Sequence, residues 1–270
     1  MTLDDYVGRT ETREDMVWPL LARGLAATLG VPEPKRELPP LWHWTLFQDW
    51  VAPDALGPDG HPKRGGFLPP AHDLPRRMWA GGRIVLHASL PLHAEVSRTS
   101  TILSVTEKQG ASSGRLLFVT VRHEIAGPAG IAVTEEHDLV YRGTEGAAVK
   151  PAEAAPAVEA TVTRVVHPDA VLLFRYSALT GNGHRIHYDA DYVREEEGYP
   201  GLIVHGPMQA TWLAGIAGTI APFTHFSFRG HRPAFAGNAM RLEGWREGDT
   251  TRLRSLDHTG AVCMTAEAGA

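Results

Sequence analysis

Cysteine is almost absent: Cys263 is the single one in 270 residues. No internal disulfide framework is possible, and a reducing compartment suits the chain. No apolar run reaches the ~18 residues that a membrane-spanning helix needs. The opening MTLDDYVGRTETRED has no basic stretch followed by an apolar core, so it is not read as a secretory signal. Positive charge is not in excess. With 26 Lys+Arg against 31 Asp+Glu the net charge is -5, which argues against nucleic acid or an anionic membrane as main partner. There is no G-x-S-x-G elbow, no phosphate-binding glycine loop and no Cys/His cluster with zinc spacing. A soluble cytoplasmic protein without metal or cofactor is expected.

The hydrophobic fraction of 43% and charged fraction of 21% are those of an ordinary globular protein. The length suits one large domain or two of about 130 residues each. Residues 12–29 are acidic first and apolar later, the pattern of an amphipathic helix, with Pro19 kinking it or starting its second part. From Pro32 to Gly82, Pro, Gly and Trp are dense, which predicts a long ordered loop of the sort that lines binding sites. Alternating and β-branched segments then predict strands in RIVLHASL, RTSTILSVTEKQG, GRLLFVTVRHEIA and IAVTEEHDLVYR. The small-residue stretch 144–158 is the linker candidate. After it come a strand (TVTRVV), a short helix (DAVLLFRYSALTG), a longer helix around VHGPMQATWLAGIAGTI and three or four closing strands. Helix first and antiparallel sheet second thus occurs twice. That is the order of an α+β fold in which a curled sheet wraps a helix.

The most informative run is 171–210. It joins an apolar segment, a Gly/Asn/His-rich turn, an acidic amphipathic stretch and a His-Gly helix start. Free N–H groups and the helix dipole at such a start favour a developing oxyanion. Imidazole titrates near neutrality and can carry a proton in either direction.

Thr180-Gly181-Asn182-Gly183-His184-Arg185-Ile186-His187, followed by His205-Gly206-Pro207-Met208, resembles the signature of the MaoC-like hydratases and dehydratases. The family pattern is a small residue, Gly, Asp, any residue, Asn, Pro, an aliphatic and His. LPRRMWAGGRI and VTEEHDLVYR resemble segments of the longer members, which include mesaconyl-C4-CoA and itaconyl-CoA hydratases and mitochondrial-type hydroxyacyl-thioester dehydratases. The resemblance implies a double hot-dog, each half a curled antiparallel sheet wrapping a central helix. It implies a non-catalytic N-terminal hot-dog at 1–143 and a catalytic one at 159–270. It also implies a cofactor-free hydro-lyase interconverting enoyl-CoA and 3-hydroxyacyl-CoA, and a homodimer. A small branched dicarboxylic acyl-CoA is the first substrate choice. Rival expectations are a fatty-acid dehydratase, a thioesterase on the same fold, and a binding subunit without chemistry.

The chain departs from the pattern at the motif aspartate, which is Asn182, and at its asparagine, which is His184. Hydration needs a base for the water at C3, an acid for C2 and an electrophile for the thioester oxygen. His187 is expected as main acid/base, Asn182 as the holder of water or hydroxyl, and His184 as a second proton carrier. The Gly206 amide is the expected oxyanion donor. His205 orients the helix start and binds substrate. Asn182 also fits a plain turn role. Tyr188, Asp189 and Asp191 should begin the next helix, although one aspartate could replace the missing carboxylate. Arg194 to Glu197 should be a solvated face. Arg229, Arg232, Lys63 and Arg64 are candidates for CoA phosphates. Arg185 or Arg77 would suit a free substrate carboxylate. Trp79, with Trp42 and Trp44, could wall an acyl pocket. His43, His72, His93, His137 and His225 are expected to be surface or core residues.

Overall fold

The computed structural model describes residues 2–110, 114–143 and 153–270. The linker candidate falls largely on 144–152, outside the described residues. Just after it, Ala155 N–H donates to the Gly260 carbonyl and Arg254 donates to the Pro156 carbonyl.

In the first half, β1 (Thr10–Met16) and α1 (Pro19–Leu29) are followed by a long irregular segment. Then come β2 (Arg76–Leu86), β3 (Glu95–Gly110), β4 (Gly114–Gly127) and β5 (Gly130–Arg142). The second half has β6 (Val162–Val166), α2 (Ala170–Thr180), α3 (Ala190–Glu195) and α4 (Gly206–Ile220). It closes with β7 (His225–Gly230), β8 (Met240–Glu247), β9 (Thr250–Leu256) and β10 (Val262–Gly269).

Two boundaries differ from the sequence expectation. Residues 12–16 are strand, not helix: Thr-Glu-Thr-Arg-Glu-Asp-Met alternates in exposure and pairs antiparallel with β3. Pro19 does not kink a helix but opens one at its first turn, where its missing N–H costs nothing, and Gly30 ends it at φ 66°. The loop also stops earlier than expected, at Arg76. Gly81 and Gly82 stay in the strand, because a Cβ at Gly81 would stand 2.6 Å from the Phe228 carbonyl oxygen.

All ten strands form one sheet in the order β1-β3-β4-β5-β2-β7-β10-β9-β8-β6. Exchanging the halves maps β1 on β6, β3 on β8, β4 on β9, β5 on β10 and β2 on β7. The sheet therefore has an internal pseudo-twofold about the β2·β7 pairing, where Gly82 faces Phe228 and Ile84 faces Phe226. The fold is α+β, a double hot-dog.

The halves are not equal. In the second, α4 lies across β8, β9 and β10 and is buried almost all round, from Met208 to Ala217. Burying Leu213 there contributes about 1.5–3 kcal/mol. In the first half, among the described residues, no long helix covers the strands. Trp42, Leu46 and Phe47 from the irregular segment join the core instead. Arg76 and Glu197 make a buried ion pair at 2.9 Å. Glu197 thus leaves the solvated face expected for 194–197, while Arg194 to Glu196 remain exposed.

Candidate active site

The site is assembled at the C-terminal end of α2. Asp169 caps the start of this helix by accepting the Leu172 N–H, and Gly181 ends it at φ 60°. The left-handed turn throws the chain out of the helix, and the Asn182 side-chain oxygen accepts the His184 N–H at 3.0 Å. His184 then precedes a single 3₁₀ turn, Arg185–His187. Asp189 caps α3 and pairs with Arg185 at 2.7 Å. The start of α3 is thus as the sequence suggested.

This route brings His184 and His187 into a row of four imidazoles, with His61 on one side and His205 on the other. His61 and His184 have ring centroids 4.4 Å apart, His184 and His187 5.7 Å, and His187 stacks on His205 at 3.6 Å. The row ends in Asp59, whose Oδ2 lies 2.9 Å from His61 Nδ1, and in Ser177, whose hydroxyl lies 2.9 Å from His205 Nε2.

Each ring has a defined state. Burial lowers His187 to about 4, against an opposing contribution from its hydrogen bond to the Ile203 carbonyl. Its Nδ1–H donates to that carbonyl at 2.7 Å, so neutral His187 keeps a lone pair on Nε2. Burial also lowers His61 to about 4, with help from the charge of Arg77. The Asp59 bond fixes its proton on Nδ1 and leaves Nε2 as the base. Burial would raise the Asp59 carboxyl, but the bond to His61 outweighs it and holds the group low. Burial first, then His61, keeps His184 low, and burial does the same for His205. At neutral pH the row is uncharged beside one carboxylate.

Gly206 opens α4 directly after His205. Pro207 has no N–H, and neither Gly206 nor Met208 donates to backbone. Among the described residues their amides are therefore open donors at the positive end of the helix. A Cβ at Gly206 would meet only Met264 Cε at 3.9 Å. Such an arrangement can hold a thioester oxygen and move a proton beside it.

Asp59 and His61 were not singled out in the sequence. They arrive on the Gly/Pro-rich segment of the first half, docked by its backbone. Arg185 N–H donates to the Asp59 carbonyl at 2.9 Å and its guanidinium to the Pro58 carbonyl at 3.1 Å. A Cβ at Gly183 would stand 2.6 Å from the Gly60 oxygen. The only signal was the triplet Asp59-Gly60-His61. Together with His184 these side chains offer ligand atoms within 4.8 Å of one another, the one such grouping among the described residues. Zinc-type spacing is a local pattern and cannot see a cluster built across two segments.

The remaining candidates divide. Asn182 is at the site, but its carbonyl oxygen is used by the turn. Arg185 is at the site too, with its guanidinium paired to Asp189 at 2.7 Å. Arg77, whose charge bears on both His61 and His184, is better placed. Trp79 belongs to an aromatic cluster with Trp44 (4.9 Å), His137 (4.0 Å) and Phe228 (5.5 Å), a packing role. Arg232 is half-buried beside Asp257 at 3.8 Å, and Arg229 is exposed on β7. Lys63 and Arg64 donate to carbonyls of their own loop. Of these four, Arg64 bears on the row, since its charge helps to lower His61. His43 and His137 lie on buried Glu135, as core histidines. A cleft of about 230 Å³ between Leu38–Pro40 and Leu86–Leu90 also lies outside the row.

A double hot-dog with a histidine-lined helix N-terminus defines an acyl-thioester protein of the hydratase and dehydratase class. The chain belongs to the hydroxyacyl-thioester dehydratase type 2 family, whose model matches residues 41–236. It is 44% identical over 269 residues to the mesaconyl-C(4)-CoA hydratase of Chloroflexus aurantiacus, covering 97% of this chain and 95% of that protein. A mitochondrial hydroxyacyl-thioester dehydratase type 2 of Schizosaccharomyces pombe is 35% identical over 83 residues, 29% of this chain and 28% of that one. Among solved structures, HtdX of Mycobacterium tuberculosis superposes with a TM-score of 0.70 at 17% identity, covering 97% of this chain and all of that one. A second protein of that organism, described as a double hot-dog, gives 0.56 at 12% identity over 99% and 97% of the two chains. These two likenesses show the fold. No helix is long and apolar enough to cross a membrane among the described residues.

Proposed function

We propose that this protein is a hydro-lyase that adds water reversibly to a small branched dicarboxylic enoyl-CoA of the mesaconyl-C4 type, giving the 3-hydroxyacyl-CoA. The observation that carries this is the neutral imidazole His187, its Nδ1 locked on Ile203, stacked beside the helix start that bears the free Gly206 amide. His187 Nε2 delivers a proton to C2 in hydration and takes it back in dehydration. Gly206 N–H holds the thioester oxygen while charge builds on it. His205, fixed by Ser177, sets the ring plane of His187 and the helix start. His184 is the second proton carrier. Asn182 shapes the turn and turns its amide toward the bound water. Arg77 receives the free carboxylate that distinguishes a dicarboxylyl substrate from a fatty-acyl one.

The identity to the Chloroflexus aurantiacus hydratase over nearly the full length supports the substrate class. A cytoplasmic homodimer fits as well. Exposed Leu20, Val171 and Phe174 project from α1 and α2, which pack side by side.

The test is mass spectrometry of the purified protein with mesaconyl-C4-, itaconyl- and crotonyl-CoA, wild type against His187→Ala. A mass gain of one water, lost in the variant, is expected. Release of free CoA would instead make the protein a thioesterase. No change on any substrate would favour a binding role.

A further inference from the structure

We infer that Asp59 and His61, carried on the loop of the N-terminal half, are the carboxylate–imidazole pair that takes the place of the aspartate missing at position 182, so that the N-terminal half takes part in the reaction. The inference rests on the hydratase assignment above.

Three observations support it. First, the loop does not need these two side chains for docking. The Asp59 and Pro58 carbonyls already hold it to Arg185, and the Gly60–Gly183 approach is backbone on backbone. The Asp59 carboxylate holds His61 twice, its backbone N–H at Oδ1 and its ring at Oδ2, and the ring lies against His184. Second, the pair is oriented as a base. Asp59 Oδ2 accepts from His61 Nδ1 at 2.9 Å, which leaves the lone pair on Nε2 of a ring 4.4 Å from that of His184. A carboxylate behind an imidazole stabilises the imidazolium that forms when a proton arrives. Third, His61 and its neighbour His184 are the partly exposed end of the row. The His61 side chain is 18% exposed, whereas His187 is 6% and His205 0% exposed. Water and a thioester entering from solvent meet it before the buried rings.

In the hydration direction the water O–H bond breaks and its proton passes to His61 Nε2. The oxygen bonds to C3, and the C2=C3 electron pair moves to the thioester oxygen held by Gly206. As that enolate collapses, C2 takes one proton from the imidazoles. The row thus gains and loses one proton per turnover, and Asp59 stays ionised throughout. Dehydration is the reverse.

The experiment compares His61→Ala and Asp59→Asn with the wild type on mesaconyl-C4-CoA, measuring kcat, KM, pH profiles and melting temperature. For His61→Ala, kcat should fall about 10²–10⁴-fold, with KM and melting temperature nearly unchanged, and added imidazole should restore part of the rate. Asp59→Asn should lower the kcat/KM plateau and move its acid limb to lower pH, since the carboxylate raises the basicity of His61. A folded His61→Ala protein with kcat within about threefold of wild type, or a loss that imidazole cannot rescue and that follows the melting temperature, would overturn the inference. So would a stoichiometric divalent metal in the purified protein whose chelation abolishes activity, because the same side chains would then be ligands. A wild type that hydrates none of the thioesters would refute the assignment beneath it before any variant is made, and this inference with it.

Discussion

Lowering the pH should destabilise this protein through its buried imidazoles, and His187 allows the size to be worked out. In the unfolded chain a histidine titrates near 6.5; folded, His187 titrates near 4, chiefly because burial penalises its charged form. The sign follows from proton counts. Above 6.5 both states are neutral and the group contributes nothing to the pH dependence. Below 6.5 the unfolded chain takes up a proton that the folded one refuses. Stability therefore falls by about 1.4 kcal/mol per pH unit until the folded group also protonates near 4. At pH 4.5 the loss from His187 alone is about 2–3 kcal/mol relative to pH 7. The perturbation that isolates it is His187→Gln, whose amide can still donate to Ile203 but cannot titrate. Urea denaturation of both proteins at pH 7.0, 6.0, 5.0 and 4.5 gives the assay. The stability gap between wild type and variant should shrink by about 2–3 kcal/mol over that range. Parallel stability curves would mean that His187 is not held neutral by burial, and the base assigned to Nε2 would lose its physical ground.

Arg77→Ala should cut kcat/KM for mesaconyl-C4-CoA by about 10–100-fold, the loss of a charged hydrogen bond, and leave crotonyl-CoA nearly unaffected; Arg185→Ala, already neutralised by Asp189, should not discriminate. Equal losses on both substrates would place the free carboxylate elsewhere. Gly60→Ala puts a Cβ into the Gly183 carbonyl at φ +87° and should cost about 1–3 kcal/mol, read as a lower melting temperature; an unchanged value would show that the two loops do not dock so closely. Glu135→Ala removes the anion that His43 meets at 3.1 Å and Trp44 at 2.9 Å, leaving buried partners unsatisfied at about 3–5 kcal/mol. Denaturant unfolding measures it, and a loss under about 1 kcal/mol would show that water reaches the cluster.

Periodic elements were legible where a local pattern decides the structure. The strands after Arg83, the Gly206 helix and the caps at Gly30, Gly181 and Asp189 follow from alternation, burial and cap chemistry. The strand at residues 12–16 was not legible, because Thr10–Met16 has acidic residues where a helix start would also place them. Only pairing with β3 decides between the two. That His184, His187, His205 and Gly206 lie together could be read because one contiguous run carries them. The pairing of Arg185 with Asp189 was not read, because Asp189 was counted only as a helix start. Asp59 and His61 were invisible for another reason. Nothing in Gly57 to Pro62 is periodic, and the approach to His184 exists only once the two halves share a sheet.

The asymmetry of the two halves bears on why that loop exists. Among the described residues the pseudo-twofold gives each half five strands with a short helix after the first of them, and only the second adds a long helix across its sheet. Where the first half would have its counterpart of α4, the chain from Val31 to Pro75 is irregular but ordered. Ordering irregular backbone costs about 1–2 kcal/mol per residue, and a helix would recover part of that through its own hydrogen bonds. Trp42, Leu46 and Phe47 offset some of it by burial, but they sit at the start of the segment. The stretch around Pro53 to Gly66 is mostly half-exposed and contributes little core. Its clear attachment is to the turn at Gly183 and Arg185, beside His184. A helix packed on the first-half strands would keep its side chains over its own sheet. A loop can cross the junction. The fold has thus given up a stabilising element at the one place where an irregular chain reaches the other half's histidines, and the two ionisable side chains that it delivers there, Asp59 and His61, are what a stability argument leaves unexplained.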